Sequence, residues 1–518
     1  MKRLMTILCC TTILCCLFTG CTALPSEHSV STHEDNKPVS TTADTATFAF
    51  NREDTLDPFS AKTALNVQLS ALLYDNLVTP DAAFAVKSRI ASVKQTDPTH
   101  ITATVKNNIR FSDGTRLSAA DIIYSFELAR HSAVYKARLE IVQSAVQNGE
   151  TVVFTLKTAN KFAAANLSFP VIKANTDTKQ AAVAAIGSGP YRYQKDDATL
   201  VPNTRRADAK VAAVRTIHLR HTVNMAEELQ SLENGSIQYM YNDLSSGSIP
   251  RTSAKTTPVA LPHLLYLGVN SKHRLLNHNT YRQAISAALD RTAVAAAAYT
   301  GRAQAATSPF HPDWKFASGL SCMSASSDTQ KALAFIKKSS RTTKATKTTA
   351  SDTAPTTTTT AATSAKTGNK TTRANQALTL IYPRGNSCRD AAVKMIVSQL
   401  SAVNIKVTAT PLAYKSYLKR LQAGKYDLYL GEIRLTPSMD LSVFLQKGGT
   451  AAYGINSAAL QKKYTAFLSG DISAAGFVVS FGDEMPYIPV CWLQGMVAHD
   501  ASLPILSPTA YDLFKGLI

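Results

Sequence analysis

The side chains able to do covalent chemistry are not arranged in the spacings that known hydrolases use. The sequence contains no G-x-S-x-G, no H-E-x-x-H and no cysteine with a histidine signature beside it. His218 and His221 are three residues apart in a strand-like stretch, so they point to opposite faces and do not indicate a shared metal ion. Paired carboxylates have no diagnostic spacing and remain the open catalytic alternative. We therefore expect no catalytic residue and no metal site, and favour a binding protein over an enzyme such as a wall hydrolase.

A glycine-rich motif at Gly187-Ser188-Gly189-Pro190-Tyr191 has a structural interpretation. Two glycines around one small residue, followed by proline, predict a tight turn that enters a strand. A phosphate-binding loop would continue with Lys-Ser or Lys-Thr into a helix, and this motif does not. We expect no bound cofactor.

Residues 106–130 predict a strand, a turn and a capped helix. Alternating apolar residues lead into Ser112-Asp113-Gly114, where glycine is free to adopt a positive φ. Ser118 and Asp121 then have the three-residue spacing of a capping box, and an apolar stripe follows them.

The C-terminal part of the chain alternates between strand-like and helix-like patterns, which predicts a parallel α/β lobe. These strands and helices are predicted at 377–382, 389–400, 405–410, 414–421 and 426–430. Just before them, residues 339–376 are nearly all Thr, Ala, Ser and Lys, a composition that builds no core. We expect a disordered surface loop there.

The N-terminus has the pattern of an export signal. Lys2 and Arg3 precede an apolar run, Leu4–Phe18, whose length suits a signal peptide rather than a membrane span. The residues up to Cys21 resemble a bacterial lipobox, so we expect residues 1–20 to be removed and Cys21 to be lipidated. An ordinary secretory signal is the alternative. Residues 21–45 are rich in Ser, Thr, Pro and charge, which predicts a flexible tether to the cell membrane.

The length and charge of the chain exclude several classes of protein. Its 518 residues suffice for about three domain-sized units, and 45% of them are hydrophobic, enough for real cores. The formal net charge is +19, but the basic residues are scattered and show no zinc-finger spacing, so we expect no nucleic-acid partner. The basic balance suits an anionic membrane surface or wall polymer. The body contains Cys322, Cys388 and Cys491, an odd number that favours free thiols, with one bridge as the alternative.

Taken in chain order, the motifs resemble those of the family 5 extracellular solute-binding proteins, the oligopeptide, dipeptide and nickel receptors of ABC importers. Residues 109–125 (IRFSDGTRLSAADIIYS) resemble the family's G-V-x-F-x-D-G-T-P-L-T-A-x-D-V-x-Y-S, and residues 187–191 resemble its G-T-G-P-Y. Residues 282–291 match R-x-A-[IL]-x-x-A-[IL]-D-R, and Met485–Leu493 resembles the closing P-x-I-P-L strand. The resemblance covers residues 46–518 apart from the Thr-rich insertion.

The resemblance implies an α/β, two-lobed fold of the periplasmic-binding-protein (Venus-flytrap) type with an extra third subdomain. It implies that lobe I consists of residues 46–70, 185–262 and 486–518, that subdomain II of the first lobe is 71–184, and that lobe III is 263–485. A ligand would then be enclosed when the lobes close about a hinge.

The resemblance also implies where a ligand would be held. Peptide-binding members place a Trp-x-x-Asp element in the loop after the strand predicted here at 426–430, and its aspartate holds the peptide's α-ammonium. This chain has Ile433 and Thr436 at those positions, although an ammonium buried without a carboxylate costs several kcal/mol. Glu432 or Asp440 is the candidate replacement, and Arg434 is the candidate for binding a carboxylate in a bidentate manner. The alternative is that these charges are solvated or form structural pairs.

Other candidate ligand contacts follow only from their position within the resembled family. They are Asn66, Tyr241, Asn242, Asp243, Tyr266, Thr436 and Trp492. For Tyr266 and Trp492 the alternative is packing in the core.

The function implied by the resemblance is capture of a short peptide or similar small solute in an interlobe cleft and its delivery to ABC permease subunits. The protein would be a monomer, lipid-anchored to the cell membrane and facing the extracellular or periplasmic side. The alternatives are a receptor of the same fold for a non-peptide solute such as a metal chelate, and a sensing or adhesive lipoprotein without transport.

Overall fold

The computed structural model describes residues 44–206, 212, 214–348, 377–454 and 457–517, without the side chains of 340–348. The predicted signal peptide, Cys21 and nearly all of the tether lie outside the described residues, as do residues 349–376 of the insertion. No helix in the described part combines the length and apolar character that crossing a membrane requires.

The chain folds into a mixed α/β structure, as predicted. Its strands are β1 Thr45–Phe50, β2 Thr79–Pro80, β3 Val86–Lys87, β4 Ala91–Asp97, β5 His100–Val105, β6 Val142–Asn148, β7 Thr151–Leu156, β8 Tyr191–Gln194, β9 Thr199–Pro202, β10 Thr216–His221, β11 Tyr239–Asn242, β12 Lys255–Val269, β13 Ala303–Ala305, β14 Leu378–Pro383, β15 Val407–Leu412, β16 Leu428–Arg434 and β17 Tyr487–His499.

Helices cover the faces of the sheets and connect the strands. They are α1 Ala64–Leu73, α2 Ala119–His131, α3 Lys136–Leu139, α4 Met225–Glu233, α5 Asn279–Ala288, α6 Arg291–Ala298, α7 Thr329–Thr348, α8 Ser387–Ala402, α9 Tyr414–Gln422, α10 Ser442–Leu445, α11 Ala458–Ser469 and α12 Ala474–Glu484, with a 3-10 helix at Ala163–Leu167. Helix α7 extends to Thr348, so the first part of the insertion is helical where we expected no structure.

One large sheet contains strands from both predicted lobes I and III. In the described residues its order is β15-β14-β16-β12-β17-β11-β1-β10-β9-β8, with β13 paired to β17. The long strands β12 and β17 are antiparallel, with Lys255 opposite His499 near one end and Gly268 opposite Tyr487 near the other. The boundary proposed between residues 262 and 263 therefore lies inside a strand.

An apolar strand pattern marks only the second half of β12. Residues 255–260 are mostly exposed or half-buried, whereas Leu264, Leu265 and Leu267 are fully buried. Pairing with β17 extends the strand over the polar half, where the side-chain pattern alone gives no strand signal.

The predicted parallel α/β lobe is confirmed. Strand β14 is parallel to both β15 and β16, and α8 and α9 lie between these strands in the chain. One part of the prediction was wrong: the strand was expected to end at residue 430, with Glu432, Ile433 and Arg434 in the loop that follows it. They belong to β16 itself, which β12 extends by antiparallel pairing as far as His263 opposite Arg434.

Glu432 joins β16 to helix α8 through an ion pair. Its two carboxylate oxygens accept hydrogen bonds from Nε and a terminal nitrogen of Arg389, at 3.0 and 2.9 Å. Both side chains are 14% exposed, and the His263 ring lies 3.9 Å from the same carboxylate. A bidentate pair of this kind fixes the orientation of both partners.

A second sheet, in the order β4-β5-β7-β6, packs against helix α2. The predicted capping box is present at the start of that helix. The Asp121 carboxylate accepts a hydrogen bond from the Ser118 backbone at 2.9 Å, and its other oxygen accepts one from the Ala174 backbone at 2.9 Å. The cap therefore also joins α2 to the segment that follows the 3-10 helix.

The glycine motif at 187–191 packs closely against the backbone at the end of α1. The Gly189 N–H donates to the Leu73 carbonyl at 3.0 Å, and the Ser112 N–H donates to the Gly187 carbonyl at 2.9 Å. A Cβ at Gly189 would lie 2.5 Å from the Tyr74 backbone nitrogen. The motifs at 106–130 and 187–191 are thus in contact. Glycine is required at 189 because there is no room for a Cβ atom.

Phe162 joins the predicted subdomain II to predicted lobe III. Its ring lies 4.9 Å from that of Trp314 and 5.0 Å from that of Phe467, centroid to centroid. The adjacent Lys161 N–H donates to the Leu468 carbonyl at 2.9 Å.

Substituting Gly189 with alanine should destabilise the protein. The added methyl group meets backbone atoms that cannot rotate away, so we expect the free energy of unfolding to fall by about 1–3 kcal/mol. Gly476→Ala is the matched control, because a Cβ there lies 3.5 Å from its nearest neighbour and helix α12 should gain stability. Urea denaturation of both variants measures the difference, and equal midpoints would contradict the interpretation.

Replacing Glu432 with glutamine should destabilise the ligand-free protein, because the Arg389 guanidinium keeps its burial and loses its counter-charge. We expect a loss of about 1.5–3 kcal/mol, the usual range for a hydrogen bond to a charged group. Glu127→Gln removes an exposed carboxylate 3.4 Å from Arg130 and should cost about 0–0.5 kcal/mol. Thermal unfolding without ligand tests this; a Glu432 variant as stable as the Glu127 variant would rule out the structural role.

Candidate ligand-binding site

A cavity of about 540 Å³ lies where the three predicted segments meet. Its volume is within the range of about 300–1,000 Å³ common for small-molecule sites. Predicted lobe I contributes one face of α1, the start of α4, the end of β11 and residues 510, 511 and 513. Predicted subdomain II contributes Tyr135, Arg138 and Ser168, and predicted lobe III contributes Arg434.

Three predicted contacts, Tyr241, Asn242 and Asp243, line the cavity together at the end of β11. The Asn242 side chain is held in place, because its amide lies 2.9 Å from the Met225 sulfur and its oxygen accepts from the Leu244 backbone at 2.7 Å. Burial raises the pKa of Tyr241, which keeps its hydroxyl neutral.

Arg434 and Asp243 form a partly exposed ion pair at the cavity. Their nearest nitrogen and oxygen are 3.6 Å apart, with side chains 54% and 34% exposed. Burial by itself would raise the pKa of Asp243, but hydrogen bonds from Ser245 and the charge of Arg434 outweigh it and hold the pKa below its usual value. The pair is long and exposed, so Arg434 remains able to bind an anion.

Arg138 brings a second guanidinium to the cavity and was missed by sequence reasoning. It lies in the short helix α3 and donates to the carbonyl and hydroxyl oxygens of Ser168, at 3.0 and 2.7 Å. Burial lowers its pKa, and the positive charge of Arg434 acts in the same direction. Among the described residues no carboxylate forms an ion pair with Arg138, and no motif in residues 131–150 marked it.

The Tyr511 hydroxyl is close enough to interact electrostatically with both cations and has no hydrogen-bond partner among the described residues. The atom is buried, and no described residue donates to it or accepts from it. Burial raises the pKa of Tyr511, and the charges of both Arg138 and Arg434 oppose that rise. Two guanidinium groups and an unused hydroxyl donor suit a carboxylate or another anion of similar size.

The remaining charged or polar candidates near residue 436 are engaged in local structure. Glu432 is paired with Arg389, as described above. The Asp440 carboxylate accepts hydrogen bonds from the Tyr464 hydroxyl and the Ser442 backbone, both at 2.8 Å. The Thr436 hydroxyl lies 3.0 Å from that of Ser438.

Tyr266, Trp492 and Asn66 are buried among structural partners. The Tyr266 ring packs edge-on against Phe444 at 4.9 Å, and Trp492, fully buried, packs against the His311 ring at 5.1 Å. The Asn66 amide donates to three backbone carbonyls of residues 51–55, and its oxygen accepts from the Asn51 backbone at 2.8 Å. The three body cysteines are free thiols.

Comparison with known proteins agrees with this architecture. The family of bacterial extracellular solute-binding proteins, family 5 (middle), matches residues 85–452. The oligopeptide-binding protein AppA of Bacillus subtilis is 21% identical over 399 residues, which is 70% of this chain and 68% of AppA.

Two solved structures show the same fold. The ABC transporter substrate-binding protein CtaP from Listeria monocytogenes superposes with a TM-score of 0.68 at 16% identity, covering 91% of this chain and 98% of CtaP. NikA from Brucella suis, solved in complex with Fe(III)-EDTA, gives 0.66 at 18% identity, covering 91% of this chain and 98% of NikA. These likenesses confirm the two-lobed fold predicted from the sequence. Because the family model spans well over half of its residues, this chain belongs to the bacterial extracellular solute-binding proteins of family 5.

Proposed function

We propose that this solute-binding protein captures short peptides in the cavity between its lobes and delivers them to the permease of an ABC importer. The observation that supports the proposal most directly is the pair of guanidinium groups, Arg138 and Arg434, that meets at the cavity with one orphaned hydroxyl. They come from predicted subdomain II and predicted lobe III, so one bound carboxylate would be held from both sides. The oligopeptide-binding relative AppA supports a peptide as the ligand.

In this proposal the peptide's C-terminal carboxylate lies at Arg138, Arg434 and Tyr511. Tyr241, Asn242 and Asp243 lie along the peptide at the end of β11. In this proposal β12 and β17, which span the boundary expected between lobes I and III, act as the hinge about which the lobes close on the ligand.

Arg138→Gln should weaken the binding of peptides that have a free C-terminal carboxylate. One charge-assisted contact is lost, so we expect the dissociation constant to rise about 10- to 100-fold, equivalent to about 1.5–3 kcal/mol. Isothermal titration with peptides of two to five residues, each as free acid and as C-terminal amide, measures the effect.

The control for this prediction is Arg130→Gln, which removes a half-buried arginine in α2 that pairs with Glu127 and does not line the cavity. The control should bind like the wild type. Equal binding of acids and amides by the wild-type protein would exclude the carboxylate contact, and the absence of binding by every peptide would exclude the peptide function.

A metal chelate is a second candidate ligand, because two arginines also suit a polycarboxylate chelator. The NikA structure with Fe(III)-EDTA supports it, as does the replacement of the family's aspartate by Thr436. Nickel chelates of histidine and of EDTA belong in the same titration series. Binding of a chelate and of no peptide would favour this candidate.

The proposed location is the outer side of the cell membrane, with the body tethered through a lipid at Cys21 and acting as a monomer. The lipobox-like residues before Cys21 and the polar composition of residues 21–45 support it. Cys21→Ala should release the protein from the membrane fraction into the soluble fraction, and Cys322→Ala should not. Fractionation after labelling with a palmitate analogue tests this; label that persists in the Cys21 variant would contradict the anchor.

A further inference from the structure

A carboxyl group inside the cavity has no partner among the described residues. Glu228 lies in helix α4, is 6% exposed, and lines the same cavity as Arg138 and Arg434. No described side chain or backbone group makes a hydrogen bond or ion pair with its carboxyl oxygens, and burial is the single cause acting on its titration. A carboxyl group that is largely shielded from water and has no protein partner is available to pair with a cation that enters the cavity.

Helix α4 does not need Glu228 for its own stability. The Asn224 side chain caps the helix by accepting from the Glu227 backbone at 3.0 Å, and the Glu227 carboxylate accepts from the Val223 backbone at 2.9 Å. The N-terminal turn is therefore already satisfied. Glu228 is left with its side chain in the cavity and no role in the cap.

The surroundings of Glu228 keep it neutral in the empty protein. Burial raises its pKa to about 8. The titratable groups on neighbouring elements and around the cavity are Tyr239, Tyr241, Asp243, Tyr135, Arg138, Arg434, Tyr511 and Asp512. Of these, Tyr239 responds to Glu228, because its pKa is raised by burial and further by nearby Tyr241, Asp512 and Glu228.

We propose that Glu228 binds the ammonium group of the ligand and releases its own proton to solvent as it does so. The cavity then selects solutes that carry both a cationic amine and a carboxylate, with the amine at Glu228 and the carboxylate at the arginines. This inference adds an amine site to the proposed function, and it rests on that function for the binding of the ligand's carboxylate at the arginines. In the exchange, a neutral carboxyl and an ammonium become a carboxylate–ammonium pair, one proton leaves, and no covalent bond to the ligand changes.

Proton release measured at pH 6.5 tests the exchange directly. At that pH the amine of tri-alanine is protonated, since a free α-amine has a pKa of about 7.7–8. Titration calorimetry in bis-Tris and in imidazole, which both buffer at this pH, differ in protonation heat and add no anion that competes at the arginines, should report close to one proton released per tri-alanine bound. Between pH 5.5 and 7 the affinity should rise about eight- to tenfold per pH unit, because Glu228 must ionise to bind the amine while the amine stays protonated.

Two comparisons assign the effect to Glu228 and to the amine. Glu228→Gln should bind tri-alanine about tenfold or more weakly at pH 7.5 and release no proton. Glu227→Gln, its neighbour in the same helix, should behave as the wild type. N-acetyl-tri-alanine, which lacks the cation, should bind the wild type weakly and without proton release.

The outcomes separate this inference from the proposed function. Tri-alanine that binds without proton release, or equally to wild type and Glu228→Gln, overturns the amine site and leaves the peptide function intact. If 6-aminohexanoate binds with proton release and no peptide binds, the amine site holds and the peptide function fails. If neither amine binds, both are overturned.

A measurement without ligand checks the protonation state. The folded-state pKa of Glu228 is raised above the unfolded value of about 4.3, so the neutral form stabilises the fold below that pH and the contribution is lost as pH rises to about 8. The wild type should therefore lose stability relative to Glu228→Gln over this interval in urea denaturation. Parallel pH profiles would show that Glu228 is ionised in the empty cavity and would overturn the exchange.

Discussion

The pairing of β12 with β17 is the interaction on which the rest of the molecule depends. The two strands are hydrogen-bonded from the polar residues of predicted lobe I to the apolar residues of predicted lobe III, and they interrupt their register between Ala260 and Leu264 and again between Leu265 and Tyr266. Irregularities of this kind bend a strand and increase its twist. Any movement of the lobes must be accommodated by continuous backbone rather than by a loose linker. The contact of Phe162 with Trp314 and Phe467 adds a second connection to predicted lobe III, this time from predicted subdomain II.

The cavity beside this connection contains charges that the protein does not neutralise itself. Elsewhere in predicted lobe III, Glu432 is paired with Arg389 and Asp440 accepts a hydrogen bond from Tyr464, so both carboxylates are part of the framework. At the cavity, Arg138 has no carboxylate partner among the described residues, and Arg434 has a long, exposed pairing with Asp243. A solute that brings its own charges restores the balance, and this is the physical basis for both the proposed ligand and its orientation.

Sequence reasoning was accurate where the signal was local. The capping box at Ser118 and Asp121 depends only on two residues that are three apart. The elements β14, α8, β15 and α9 follow from apolar periodicities within each segment, which do not depend on the rest of the chain. Sequence reasoning failed at the end of β16. That strand continues through Arg434 because it pairs with β12, and the local sequence gives no sign of this. Arg138 lies in a four-residue helix with no motif, so nothing local could mark it as part of a site.

The sequence by itself determined the fold class and the family, since both follow from motifs and periodicities within short stretches. The tertiary structure decided which charged side chains line the cavity and which form ion pairs within the protein. Glu432 and Arg389 are 43 residues apart, and the cavity brings Arg138, Glu228 and Arg434 together from segments separated by 90 residues or more. The reason is that a charged side chain is available to a ligand only if no distant partner reaches it, and the partner is known only once the chain has folded.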